Sequence, residues 1–205
     1  MTRLSSNPQL LWKSTLPFVY WDNFFSESDL QNIERYYGLA GVEKSKIVSS
    51  SNTAEISDSI RNSEIKLHYI NKDNEWLFDK LLTVAGLIND RFYRFDLLGF
   101  DHFQYTEYNG PGTMYDYHTD MVFGENVPEG LEICRKLSFS LILSDTHEYQ
   151  GGDFEIKLTS RPSDKLEQKR GRIIAFPSYI LHKVTPIISG SRRSMVFWAV
   201  GPKFK

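Results

Sequence analysis

The sequence predicts an α+β fold in which an antiparallel sandwich or barrel is backed by N-terminal helices. Two observations carry that prediction. Apolar residues recur at helical spacing as far as about Phe92, and at a spacing of two from Phe95 onward. The second half is also cut by turn signals, at Asn109-Gly110-Pro111-Gly112, Gly151-Gly152 and Ser189-Gly190. Helices followed by runs of short strands argue for segregated α and β layers rather than alternating βαβ units.

The first helix is expected to open at Ser26, with Phe25 and Leu30 placed as a hydrophobic staple around the N-cap. Leu30, Ile33 and Tyr37 then share a face, and Gly38 stops the helix. The second is expected to start at Asp73 or Asn74 and run to about Phe92, with Leu77, Leu81, Val84 and Ile88 on its buried side. Neither carries a chemical motif, so both are read as packing against a sheet. Strands are expected at Phe95–Leu98, His102–Tyr108, Lys136–Leu143, Phe154–Lys157, Arg172–Phe176 and Arg193–Val200.

At 205 residues the chain fits one domain, with 1–94 as a helical support region and 95–205 as the core that carries function. A net charge of −2 gives no electrostatic argument for nucleic acid or an anionic membrane. Cys134 is the sole cysteine, which excludes an intrachain disulfide. The stretch Met1 to Ser14 has no apolar signal region, and the longest apolar runs, such as Leu137–Leu143, fall short of the ~20 residues that span a bilayer. A reducing, cytoplasmic setting is therefore expected, with no membrane or nucleic-acid partner. Oligomeric state is not legible.

Of the five histidines, His118 stands out through His118-Thr119-Asp120. Residues i and i+2 of a strand point to one face, so an imidazole and a carboxylate can meet a single metal ion. Such a pair is often just a solvated turn, and its weight comes from residues further along the chain. His182 stands downstream, and ten residues after it comes Arg192, leading into Met195-Val196-Phe197-Trp198-Ala199-Val200. Alternation puts Arg192, Ser194, Val196 and Trp198 on one face of that strand. An arginine on the inner face needs an anion, since burying it unpaired costs several kcal/mol. No carboxylate neighbours it in sequence, and a ligand carboxylate would match its two-pronged geometry. His68 and His102 read as structural, His147 as a loop residue, and Arg135 as a strand cap, with a place facing substrate as its alternative.

From roughly Phe95 to Pro202 the sequence resembles the 2-oxoglutarate/iron(II) dioxygenases of the prolyl 4-hydroxylase type. The resemblance rests on Tyr108 ten residues before His118, the segment Arg135 to Leu143, the turn Gly151-Gly152-Asp153-Phe154, the run Gly171 to Pro177, and the stretch His182 to Trp198. It implies a double-stranded β-helix (jelly-roll) core with iron(II) held by His118, Asp120 and His182. It also implies that Arg192 binds the distal carboxylate of 2-oxoglutarate with Ser194 adding a hydroxyl, that Tyr108 contacts the same co-substrate, and that Trp198 walls its pocket. Iron(II), 2-oxoglutarate and O2 would then hydroxylate a C–H bond and release succinate and CO2. No residue beyond the metal ligands is required as a general acid or base. Related halogenases lack the carboxylate ligand, so Asp120 implies hydroxylation.

Two departures from the family pattern are visible. Some relatives carry a second tyrosine where this chain reads Leu141-Ile142, which leaves the co-substrate pocket more apolar and more dependent on Arg192. Asp153 comes after the Gly-Gly turn where glutamate is usual. The resemblance favours a prolyl or other residue of a peptide or protein as substrate, with a small molecule such as a free amino acid as the alternative. Specificity is expected in Lys44–Ser59, Met121–Cys134 and Ser160–Gln168, the second of these as a mobile lid. Two rivals from other classes are a jelly-roll module that binds without turnover and a zinc hydrolase with the same ligands. The first has little need of all four of His118, Asp120, His182 and Arg192. The second leaves Arg192 unexplained and lacks an evident general base.

Overall fold

The computed structural model describes residues 16–38, 60–100, 102–121 and 133–204, with the backbone alone of 43–44, 47–48 and 54–55. The expected specificity loop Lys44–Ser59 and, apart from its ends, the expected lid Met121–Cys134 lie outside the described residues. In chain order the elements are β1 (Val19–Trp21), α1 (Glu27–Tyr37), β2 (Glu43–Lys44), β3 (Ile47–Val48), β4 (Ala54–Glu55), β5 (Arg61–Asn62), β6 (Glu64–Tyr69) and α2 (Glu75–Ile88), which runs into a π-helical turn, Asn89–Tyr93. Then come β7 (His102–Asn109), β8 (Met114–His118), β9 (Ile133–Ile142), β10 (Tyr149–Gly151), β11 (Phe154–Lys157), β12 (Asp164–Lys165), β13 (Ile173–Pro177), β14 (Leu181–Val184) and β15 (Ile187–Pro202).

Two antiparallel sheets form the jelly roll. The larger has the order β1-β13-β9-β15-β7-β6-β2, with β10 added beside β15, and the smaller the order β12-β11-β14-β8-β5. The α+β class stands, although α1 and α2 are a modest backing beside this much sheet. The expected support region also supplies strands to both sheets: β1 pairs with β13, β6 with β7 and β5 with β8.

Helix α1 begins as the sequence requires. The Ser26 hydroxyl accepts from the Asp29 amide at 3.2 Å, the Asp29 carboxylate accepts from the Ser26 amide at 2.9 Å, and Phe25 and Leu30 are both buried. Gly38 ends it in an extended rather than a left-handed conformation. Helix α2 keeps its periodic face to Ile88, and the rest of the expected run to about Phe92 is helical as well, but with π geometry. After Ile88 the chain enters the π turn and leaves through Arg94 in the left-handed region, φ 56°. The Asn89 side chain closes that exit, bonding both the amide and the carbonyl of Phe95 at 2.8 Å. Phe95–Leu98 is consequently not a strand, and only the Leu98 amide and a single bridge at Gly99 reach the sheet, both at Val200.

Ser189-Gly190 also differs from its expected role as a turn between strands. It lies inside β15, which bends there as its partner changes from β10 to β7. Gly190 has φ +80°, and a Cβ on it would lie 2.0 Å from the Glu148 carbonyl oxygen, so only glycine lets the strand bend against β10.

Side-chain alternation on the large sheet separates two environments. Phe103, Leu137, Phe139, Leu141, Met195 and Phe197 point outward and are at most 1% exposed, packed under α1 and α2. The stacked rings of Phe139 and Phe197, 4.5 Å apart, mark the centre of this core. Gln104, Thr106, Ser138, Ser140, Arg192 and Ser194 point the other way, toward the small sheet, and are buried as well. The polar residues are thus enclosed between the sheets while the most apolar face is covered by helices. Among the described residues no helix is long and apolar enough to cross a membrane.

Asp22, just after β1, receives Arg172 in a two-pronged pair at 2.7 and 2.8 Å. The Arg172 hydrogen bond holds the Asp22 carboxyl below its ordinary value of 3.8 against the opposing effect of burial. This group stabilises the fold above that value and ceases to do so as pH falls through its lowered value in the native state. Asp22→Asn is expected to lose about 1 kcal/mol at pH 7, discounted for partial exposure. In denaturant titrations at pH 7 and pH 3, the gap between the two chains should narrow at the lower pH.

Candidate active site

His118 and His182 face each other as direct partners across β8 and β14. Their rings lie 4.1 Å apart, closer than a regular ladder needs, because the register shifts next to them. The sequence expectation placed His118 and Asp120 on one strand. Instead, β8 ends at His118 and Asp120 stands in the turn beyond. That turn is held by Ser178, whose carbonyl accepts from the Asp120 amide at 3.0 Å and the Met121 amide at 2.9 Å. The carboxylate is thereby brought back to the same point, with Oδ1 3.8 Å from His118 Nε2 and Oδ2 3.6 Å from His182 Nε2.

The imidazole tautomers are set by their neighbours. His118 Nδ1 lies 2.8 Å from the Asp116 carbonyl and His182 Nδ1 2.9 Å from the Ile180 carbonyl. A carbonyl only accepts, so each Nδ1 carries a proton and each Nε2 is turned toward Asp120. Burial, reinforced by the charge His182 can carry, pushes the His118 imidazole down to about 3, so it is neutral across the ordinary pH range. Burial works against the Asp120 carboxylate, but His182, His118 and the Ser138 hydroxyl outweigh it and hold the group below its ordinary range.

This donor set fits a metal. The three ligand atoms lie within 4.8 Å of one another, and metal–ligand distances of about 2.0–2.2 Å are reached by a small contraction. Two imidazoles and one carboxylate, grouped on one side of a cavity, are the set that non-haem iron(II) oxygenases use with positions left open. No other group of this kind occurs among the described residues.

The three residues line a cavity of about 470 Å³ between the sheets, which Arg192, Ser194, Tyr108 and Trp198 also line. Arg192 is 1% exposed and pairs with no carboxylate among the described residues. Its Nε donates to Gln168 Oε1 at 2.8 Å and Nη1 to Ser194 Oγ at 3.2 Å, while Nη2 is buried with no partner. A buried guanidinium nitrogen left orphaned inside a cavity is the mark of a missing anion. The Tyr108 ring lies 5.4 Å from the guanidinium carbon. Burial pushes the Tyr108 phenol up, so it stays a neutral hydrogen-bond donor. Trp198 lies six residues along β15 from Arg192, roughly 20 Å at the strand rise, and packs under Arg135 at 3.8 Å and beside His102 at 5.5 Å.

Other cavity residues were not singled out by sequence. Tyr115 stacks on His118 with ring centroids 3.4 Å apart, and the Arg61 guanidinium lies 4.5 Å above Tyr115. The bulged register between β8 and β14 creates this stack, and no period in the sequence announces a bulge. His102, expected to be structural, lines the cavity, as does Arg135, for which a strand cap and a place facing substrate were the two readings. His68 is structural as expected, bonding the Tyr37 carbonyl at 3.0 Å and stacking on Phe103. Gln168 ends a segment expected to serve the cavity mouth but turns inward to Arg192.

Comparison with known proteins agrees with this geometry. Residues 103–200 match the family model of the 2OG-Fe(II) oxygenase superfamily. A PKHD-type hydroxylase of Shewanella baltica is 37% identical over 95 residues, covering 46% of this chain and 40% of that one. A PKHD-type hydroxylase of Synechococcus sp. strain CC9605 is 34% identical over 87 residues, covering 42% and 36%. The matched stretch therefore spans well under half the length of these curated relatives. Among solved structures, a prolyl-4-hydroxylase from Pseudomonas putida superposes with a TM-score of 0.67 at 17% identity, covering 91% of this chain and 94% of that one. A prolyl hydroxylase from Trichoplax adhaerens, solved with a hypoxia inducible factor peptide fragment, gives 0.66 at 19% identity, covering 89% and 83%. At these identities the structural likeness establishes the fold.

The donor set makes a direct prediction. The purified chain should take up one divalent ion, and His182→Ala or Asp120→Ala should abolish that uptake. Metal at a hundredfold excess over its dissociation constant should raise native stability by about 2.7 kcal/mol in the parent and not in the variants, as read by thermal melts.

Proposed function

We infer that this chain, whose residues 103–200 form a domain of the 2OG-Fe(II) oxygenase superfamily, is a hydroxylase that uses 2-oxoglutarate and O2. The observation that carries the reading is the Arg192 guanidinium, whose buried Nη2 has no partner among the described residues, in the same cavity as the His118, Asp120 and His182 donors. Iron(II) bound by these three residues would supply, with 2-oxoglutarate and O2, the oxidising power to convert a C–H bond to C–OH, with succinate and CO2 released.

The chain's own part is to hold, orient and enclose. The carbonyls of Asp116 and Ile180 fix both imidazoles with Nε2 toward the metal. The Ser178 carbonyl fixes the turn that carries Asp120. Arg192 and Ser194 take the distal carboxylate of 2-oxoglutarate, and Tyr108 contacts the co-substrate from β7. Trp198, expected to wall the co-substrate pocket, sits instead beside Arg135 and His102, and with these and Tyr115 lines the rest of the cavity, the space left for the substrate. In this reading 95–205 is the catalytic core of a single domain, with 1–94 as its support and Arg61 reaching into the cavity from that support.

The favoured substrate is a prolyl or other residue of a peptide or protein. Support comes from the hydroxylase names of the relatives and from the peptide-bound structural neighbour. The same chemistry on a small molecule is the alternative. A lone cysteine, Cys134, free of any disulfide, accords with a reducing, cytoplasmic setting.

Succinate release from 2-oxoglutarate under O2 with iron(II) tests the reading. The parent chain should turn over slowly even without substrate, His118→Ala should not turn over, and Arg192→Ala should need on the order of a hundredfold more 2-oxoglutarate, since it loses a buried charge-assisted pair. A parent chain that neither releases succinate nor binds 2-oxoglutarate in the presence of metal would leave a jelly-roll binding module as the better account.

A further inference from the structure

We propose that Gln168 is a positioning residue that decides which edge of the Arg192 guanidinium meets the co-substrate; the proposal rests on Arg192 being the anchor of the distal carboxylate. A guanidinium offers a carboxylate two forks, one formed by Nε with a terminal nitrogen and one formed by the two terminal nitrogens. Gln168 Oε1 accepts from Arg192 Nε at 2.8 Å, which closes the first fork. Ser194 lies 3.2 Å from Nη1, and Nη2 is the buried atom without a partner. The distal carboxylate is therefore received end-on, on the side of Nη2.

The amide of Gln168 cannot be turned around. Arg192 has only donors, so the carbonyl end of Gln168 must face it. The NH2 end donates to the Gly152 carbonyl at 2.9 Å. Gly152 in turn lies against the arginine stem: its φ is +62°, and a Cβ there would lie 3.1 Å from Arg192 Cδ and 2.5 Å from Ile187 Cδ1. The Gly151-Gly152 turn thus brings a backbone acceptor to the one place from which it can orient Gln168.

Gln168 is also strapped on both sides. Leu166 is buried and its amide donates to the Phe154 carbonyl at 2.8 Å. Arg170 pairs with Glu27 at 2.9 Å and Glu34 at 2.8 Å, and Arg172 pairs with Asp22. The residue type matters as much as the place. A neutral acceptor orients Arg192 and leaves its charge available, whereas a carboxylate at 168 would form an internal ion pair and cancel the charge the co-substrate needs.

The test uses the full chain and the variants Gln168→Ala and Gln168→Glu, the second nearly isosteric. In the metal-free parent, 15N NMR should show the Arg192 Nε–H protected from exchange, and Gln168→Ala should remove that protection. Calorimetry with the Mn(II)-loaded chain without turnover should show 2-oxoglutarate bound about tenfold more weakly in Gln168→Ala and at least about fiftyfold more weakly in Gln168→Glu, with Mn(II) affinity unchanged. In turnover, Gln168→Ala should raise KM for 2-oxoglutarate more than it lowers kcat. Arg192→Lys keeps the charge but has no Nε–H to occupy, so adding Gln168→Ala to it should change affinity less than about twofold. Parent-like 2-oxoglutarate binding by Gln168→Glu, equal losses in the arginine and lysine backgrounds, or a parallel loss of Mn(II) affinity would each overturn the proposal. A parent chain that binds Mn(II) but not 2-oxoglutarate would overturn the role of Arg192 itself, and this proposal with it.

Discussion

A buried guanidinium with no carboxylate to answer it among the described residues is the constraint around which the interior is arranged. Desolvating Arg192 costs several kcal/mol unless its donors are bonded, and among the described residues its surroundings supply neutral oxygens, from Gln168, Ser194 and the Tyr149 phenol. Those contacts lower the cost of burial without cancelling the charge. The cavity therefore keeps a fixed positive end at Arg192 and a metal-binding end at His118, Asp120 and His182. A dicarboxylate with a metal-chelating head can satisfy both at once. The Tyr149 phenol is part of the same balance: burial pushes it up and the nearby Arg192 pulls the other way, so it remains neutral and adds no competing charge.

Keeping polar groups between two sheets has a consequence for stability. A sandwich usually draws its apolar core from the facing inner surfaces. Here part of that surface is given to Gln104, Thr106, Ser138, Ser140, Arg192 and Ser194, and the most apolar residues of β7, β9 and β15 turn to the opposite face. That face must then be covered, which is the task of α1 and α2. The helices carry no chemistry, yet the cavity depends on them, because a large sheet left bare on its most apolar side would be neither stable nor monodisperse. A second cluster around Phe154, Ile156, Ile174 and Phe176 closes the remainder of the space between the sheets.

This division explains which features were legible in the sequence. Period-two alternation assigned the faces of β15 correctly, because burial on both sides of that strand obeys the pleat: Arg192, Ser194 and Trp198 lie inward, Met195 and Phe197 outward. The Ser26 cap and the Leu30-Ile33-Tyr37 face of α1 were legible because they depend on neighbours a few positions away. Most of the failures involve contacts that no local period encodes. Phe95–Leu98 has strand composition, but Arg94 in the left-handed region and the Asn89 side chain send it elsewhere. Ser189-Gly190 has turn composition, but the approach of Glu148 makes it a bend within a strand. Gln168 has no periodicity to reveal it, since its role is set by Arg192 and Gly152, which come from other parts of the chain. The strand Glu64–Tyr69 does alternate, but it lies in a stretch whose helical neighbours masked it.

The ligand set shows the same principle at the scale of one turn. Strand spacing alone would bring His118 and Asp120 to one face, yet the chain reaches that end by leaving the strand after His118 and fixing the next turn to Ser178. Ser178 is itself held by the Lys136 carbonyl at 2.9 Å and the Ser138 hydroxyl at 2.9 Å, both on β9 of the opposite sheet. His118 and His182 belong to the small sheet, while the turn bearing Asp120 is referred to the large one. The ligand triad is accordingly a joint between the two sheets: any slip of one sheet over the other would separate the carboxylate from the imidazoles. A bound metal would resist that slip, so the same three side chains that create the site also use the ion to fasten the sandwich around the cavity.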